Sequence, residues 1–137
     1  MRRVVVEIVR GMPSGRDTCA GGGVLLVPQG RRERRRGLLA IGPLPRGHLL
    51  LLERARVVHT VGVRGRVAVA FVDAGMRIVA VRRVRPGRVA GPVRGARHVV
   101  EAAEGSDLRA GDAVQLVGAP SDADPTRRAY FASAPVV

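Results

Sequence analysis

The sequence predicts an all-β domain, a sandwich or barrel of about eight short strands with one short helix near residues 31–39. Short runs rich in Val, Leu and Ala recur along the chain, and Gly and Pro separate them as they separate strands. Aromatic residues make up only 2% of the chain against 46% hydrophobic residues, so the core must be aliphatic. A length of 137 residues suits a single domain.

The strands follow one another between loops marked by glycine and proline. Residues 11–23 are expected to form a loop because they contain Pro13 and the glycine triplet at 21–23. The β domain is expected to span residues 1–117, and the polar segment 118–137 lacks periodicity and is expected to be a mobile tail. The predicted strands cover residues 4–9, 24–27, 48–53, 57–63, 67–73, 77–84, 96–103 and 113–117.

The strand at 67–73 is expected to lie in the middle of a sheet. Its alternate residues are apolar on both faces, which is typical of a strand covered on both sides. A short hairpin connection follows, in which Gly75 can adopt positive φ. Asp73 and Asp112 lie at predicted turns, where aspartate commonly bonds the local backbone.

The charge of the chain points to an anionic partner. The sequence has 24 basic residues, all arginine, against 11 acidic ones, for a net charge of +13. Such a field favours an acidic protein or a polyanion, although a solvated basic face is the simpler interpretation. Without aromatic side chains beside the arginines, specific nucleic-acid recognition is not expected. The candidate anion-binding residues are Arg31, Arg32, Arg34, Arg35, Arg36, Arg82 and Arg83.

Several classes of protein are disfavoured by what the sequence lacks. Cys19 is the single cysteine, so no disulfide forms within the chain, and no run approaches the length of a membrane span. We therefore expect a cytoplasmic protein. The chain has no lysine for a Walker-type phosphate loop, and its three histidines do not have the spacing of a metal site. No cofactor or metal is expected.

Four polar residues are candidates for a ligand site. His59 and Thr60 adjoin in a predicted strand, so only one of them can face the interior. Glu101 lies in an apolar stretch and requires a partner, for which His59, Arg64 or Arg97 is available. A structural role, with His59 bonded to backbone or to Glu101, is the alternative to a role in ligand binding or proton transfer.

An ordered set of motifs resembles the uncharacterised family catalogued as domain of unknown function 192. The set covers roughly residues 31–117, and the resemblance implies a compact β domain of jelly-roll type with no established activity. The chain has Val61, Val63 and Ala68 where the family usually has an aromatic residue, methionine and aspartate. The motifs are Arg36-Gly37-Leu38-Leu39, Leu44-Pro45-Arg46-Gly47, Val58-His59-Thr60-Val61-Gly62-Val63-Arg64, Phe71-Val72-Asp73, Val100-Glu101-Ala102 and Gly111-Asp112-Ala113-Val114.

Three functional hypotheses follow from these residues. The first is a non-catalytic binding or accessory module in which His59, Thr60, Arg64 and Glu101 form a polar floor. The second is a non-specific binder of polyanions or nucleic acid through the arginine clusters. The third is an enzyme that uses His59 and Glu101 as an acid–base pair.

Overall fold

The computed structural model describes residues 1–11, 15, 17–36 and 42–117. The predicted all-β class is confirmed, with nine strands and one short helix in this part of the chain. The predicted tail at 118–137 lies outside the described residues. The elements are β1 (Arg2–Gly11), β2 (Asp17–Val27), α1 (Gly30–Arg36), β3 (His48–Leu52), β4 (Val58–His59), β5 (Val67–Val72), β6 (Ile78–Val84), β7 (Val89–Ala90), β8 (His98–Ala103) and β9 (Ala113–Leu116).

Seven strands form one curled sheet, and β4 and β7 form a small ribbon of their own. The order in the sheet is β6-β5-β8-β3-β2-β1-β9, with β2 and β3 parallel and the other neighbours antiparallel. The sheet curls into a half-barrel, and its two ends meet where Arg77 bridges Ala113. Two further backbone hydrogen bonds, from Ile78 N to Asp112 O and from Gly111 N to Ile78 O, join the same seam.

The sheet carries a hydrophobic core on each face. All six residues of β5 are buried, as expected for a strand covered on both sides. One core, which includes Leu25 and Val100, fills the concave side, and the other packs around Phe71 beneath the β4–β7 ribbon. Alternation along each strand assigns neighbouring residues to opposite cores. A polar side chain on either face of the central strands is therefore buried.

The second strand is longer than the sequence predicts. We expected a loop over residues 11–23, but β2 begins at Asp17 and pairs with β1 through the glycine triplet. Glycine has weak strand propensity, yet the ladder with β1 outweighs it. At Gly23 a side chain is excluded, because a Cβ would lie 1.9 Å from the carbonyl oxygen of Gly47. These glycines permit the close approach of the segment before β3.

The predicted strand at 57–63 is mostly wrong. Only Val58 and His59 pair, and their partners lie in β7, which the sequence did not predict. The helix begins at Gly30 and reaches Arg36, while its predicted continuation to residue 39 lies outside the described residues. Within the described ranges, no helix is long and apolar enough to cross a membrane.

The turn between β5 and β6 has the predicted aspartate but a different residue at positive φ. Asp73 Oδ1 accepts hydrogen bonds from Gly75 N at 2.9 Å and Arg77 N at 3.0 Å. Met76, rather than Gly75, has a φ of 63°. Its side chain is buried in the concave core. Packing of this side chain therefore decides which residue adopts the left-handed conformation.

Candidate functional site

Thr60 holds the β4–β7 ribbon together through hydrogen bonds. Its hydroxyl donates to Arg85 O at 2.6 Å and accepts from Arg88 N at 2.9 Å. Its backbone N–H donates to Arg88 O, and its carbonyl accepts from Gly87 N. The side chain is 1% exposed, so these bonds are shielded from water. Of the adjoining His–Thr pair, the threonine faces the interior.

We expect Thr60→Val to destabilise the domain by about 1–2 kcal/mol, since the part-buried Arg88 N–H loses its hydroxyl acceptor. Val matches the shape of Thr, so the loss reports the hydroxyl and not a cavity. Urea unfolding measures the change, and Thr60→Ser, which keeps the hydroxyl, should retain more of the stability. Equal stability of the Val variant and the wild type would show that the hydroxyl hydrogen bonds do not contribute to the stability of the domain.

His59 lies on the outside of the ribbon, so of the two residues it is the one that does not face the interior. It pairs with Val89 across the ribbon, and both side chains are exposed. The reason is alternation: Thr60 fills the interior position, and its neighbour must face outward. Arg64 is exposed as well. His59 and Arg64 thus belong to the surface, and Thr60 and Glu101 to the interior.

Glu101 is buried without the partner that the sequence led us to expect. It lies in β8 between Leu50 of β3 and Val69 of β5, and its exposed fraction is 4%. Among the described residues, no hydrogen bond or ion pair to its carboxylate is formed. Burial raises the pKa of Glu101 from 4.5 to about 7. The carboxyl group therefore holds its proton at a much higher pH than an exposed glutamate does.

His48 is a partly buried residue that sequence reasoning did not select as a site residue. It lies two residues before Leu50 on β3, so it shares a sheet face with Leu50 and with Glu101, the cross-strand partner of Leu50. Its Nδ1 atom is buried and has no hydrogen-bond partner in the described part of the chain. The position of His48 at the start of a strand, directly before four consecutive leucines, was the available signal.

The structure does not bring His59 and Glu101 together as an acid–base pair. His59 is in the ribbon and exposed, whereas Glu101 is in the main sheet and buried. No hydrogen bond joins them in the described set of residues. Over the same residues, no cluster of three His, Cys, Asp or Glu side chains could hold a metal ion.

The predicted anion-binding arginines fall on two separate elements. Those of α1 are exposed, and Arg34 forms an ion pair of 3.6 Å with Glu53. The Arg36 side chain lies outside the described set. Arg82 and Arg83 are exposed on β6, and the Arg82 guanidinium lies 5.7 Å from the Phe71 ring centroid. The exposed arginines of α1 are Arg31, Arg32, Arg34 and Arg35.

The segment 54–97, which contains Arg82 and Arg83, carries a large excess of positive charge. It holds eleven arginines, all exposed, and a single acidic residue, Asp73. The Asp73 carboxylate bonds the backbone of its own turn. Arg77 donates to Gly111 O, and none of the other ten arginines forms an ion pair within the described residues. The ten arginines other than Arg77 therefore carry positive charge that no ion pair with a described residue compensates.

Comparison with solved structures finds a match in fold. The matching protein is a candidate transcription regulator from Sinorhizobium meliloti 1021, with a TM-score of 0.69 and 15% sequence identity. The alignment covers 85% of this chain and 95% of the other. At this identity the likeness establishes a shared fold. No family model matches the chain, and a search of curated proteins finds no match.

Proposed function

We propose that this chain is a non-catalytic binding module that takes an acidic protein partner on the surface formed by residues 54–97. The observation that carries the proposal is the charge of that surface, with eleven exposed arginines against one aspartate. Uncompensated charge of one sign attracts a partner of the opposite sign and speeds its association. From the motifs between Arg36 and Val114 we also propose that the chain belongs to the domain of unknown function 192 family. The jelly-roll fold that this resemblance implies is part of the same proposal.

The surface residues of the sequence-predicted ligand site fit this role. His59 and Arg64 are exposed beside the arginines and are proposed as contacts to the partner. Thr60 contributes by holding the backbone of residues 85–88 in place. Glu101 is too deeply buried to touch a protein partner, so it is not proposed as a contact.

Binding of a fluorescein-labelled hexaglutamate peptide tests the proposal. We expect Arg85→Gln combined with Arg88→Gln to weaken binding about fivefold, because each exposed charge contact is worth up to about 1 kcal/mol. The matched control, Arg31→Gln with Arg32→Gln, removes the same charge from α1 and should have a smaller effect. Fluorescence anisotropy across a salt series gives the dissociation constants. Affinity that is independent of salt would contradict the proposal.

The second candidate function is non-specific binding of a polyanion through the arginine clusters. The exposure of the α1 arginines, far along the chain from β6, favours it because a polyanion can span separate clusters. Under this alternative, both double variants should weaken binding equally. A random-sequence DNA duplex should then bind more tightly than the peptide, with a steeper dependence on salt.

A further inference from the structure

The β4–β7 ribbon and the residues beside it expose Val57, His59, Val61 and Val89, and we refer to these four residues as the ribbon face. Val57 precedes β4 and Val61 lies in the turn that follows it, with buried Val58 and Thr60 between them and His59 along the chain. Val89 lies opposite His59 in the ribbon, and both are exposed. Three aliphatic side chains and one imidazole are thus exposed within the ribbon and the positions next to it.

Large hydrophobic side chains with high exposure are more frequent in the ribbon face than on the rest of the described surface. Val57, Val61 and Val89 are 46%, 58% and 69% exposed, and they are three of the seven large hydrophobic residues that are exposed among the described residues. Single exposed apolar side chains are common, whereas a contiguous group rimmed by polar residues marks an interaction site. The Thr60 hydrogen bonds fix the backbone on both sides, so the face is preformed.

Arginines surround the ribbon face. Arg56 precedes Val57 and Arg88 precedes Val89, while Arg85 is tied to the ribbon through the Thr60 hydroxyl. These arginines and Arg64 are exposed, and none forms an ion pair in the described part of the chain. An apolar centre with a basic rim complements a segment whose centre is aliphatic and whose flanks are acidic.

We propose that the ribbon face docks an extended acidic segment of a partner protein, with aliphatic side chains at its centre and carboxylates on both flanks. The inference rests on the proposed function and adds the place and chemistry of the contact. A nucleic acid fits less well, because the ribbon face has no aromatic side chain on which a base could stack. Aliphatic side chains two residues apart in an extended segment point to the same side and can contact the valines together.

Two labelled heptapeptides test this inference. One has the sequence Glu-Glu-Val-Ser-Val-Glu-Glu, and in the other serine replaces both valines, so their charges are equal. We expect the wild-type protein to bind the valine peptide about tenfold more tightly, as burial of two partly covered valines predicts. Val61→Ser with Val89→Ser should abolish this preference. Val5→Ser with Val117→Ser removes valines of similar exposure from other parts of the surface and should retain it.

The outcomes separate the inference from the proposed function. Equal, salt-sensitive binding of both peptides would overturn the ribbon-face inference and leave the proposed function standing. Absence of salt-sensitive binding by either peptide would overturn both. A DNA duplex that binds more tightly than both peptides would replace the protein segment with a nucleic acid. Circular dichroism melting of each variant confirms that the fold is retained.

Discussion

Glu101→Gln is expected to stabilise the protein at pH 8 by up to about 3 kcal/mol and to leave it nearly unchanged at pH 4. Glu101 is buried between Leu50 and Val69, and no described group compensates its charge. Its pKa is raised from 4.5 to about 7, because burial penalises the carboxylate. Gln carries no charge at any pH and occupies the same volume, so it removes that penalty.

The sign of the pH dependence follows from proton binding. Between pH 4.5 and about 7, the unfolded chain has lost the Glu101 proton and the folded protein still holds it. Stability therefore falls as pH rises through this window and levels off above it. Urea unfolding across pH 4 to 8 measures the free energy of unfolding of the wild type and the variant. The contributions of all other titrating groups cancel when one free energy is subtracted from the other. Glu104→Gln, at an exposed position, is the matched control. A difference that does not grow with pH would mean that the carboxylate is compensated.

Asp112→Ala is expected to destabilise the protein by about 2–3 kcal/mol. The Asp112 carboxylate accepts two hydrogen bonds from Arg10, both 2.9 Å, and one from Arg109 N at 2.9 Å. The residue is 1% exposed, and its carbonyl accepts from Ile78 N at the seam of the half-barrel. The substitution removes the acceptor of the part-buried Arg109 N–H and of the Arg10 guanidinium, and it weakens the contact between the two ends of the sheet.

Asp107→Ala is the matched control for this prediction. Asp107 also pairs with Arg10 and Arg109, but its side chain is 57% exposed. Each substitution removes one carboxylate that pairs with Arg10, yet water can replace the exposed contacts of Asp107. Thermal unfolding should show a lower Tm for Asp112→Ala and little change for Asp107→Ala. Similar losses in the two variants would show that burial of Asp112 does not strengthen its bonds.

Some parts of the site were predictable from the sequence because they depend on local pattern. The apolar run at 67–72 identified a strand that is buried on both faces, and alternation required that one of His59 and Thr60 face inward. The pattern could not decide which one, since that depends on the carbonyl of Arg85 and the N–H of Arg88, 25 and 28 residues further along the chain. The sequence also identified Glu101 as buried, but the expected ion pair did not form among the described residues.

Other parts depended on contacts between distant segments. The strand through the glycines of β2 exists because β1 supplies a hydrogen-bonding partner, against the preference of glycine itself. The ribbon of β4 and β7 pairs residues about 30 positions apart, with only two residue pairs to mark it. The role of Asp112 likewise depends on Arg10, at the far end of the chain, so the turn position alone did not show it.

By itself, the sequence determined an aliphatic all-β domain with a large excess of arginine, because composition and alternation require no knowledge of distant partners. Tertiary structure decided that the sheet closes into a half-barrel, that Thr60 rather than His59 is interior, and that Val57, Val61 and Val89 stay exposed in and beside the ribbon. These features arise from hydrogen bonds and packing between segments far apart in the chain, whose pairing no local pattern specifies.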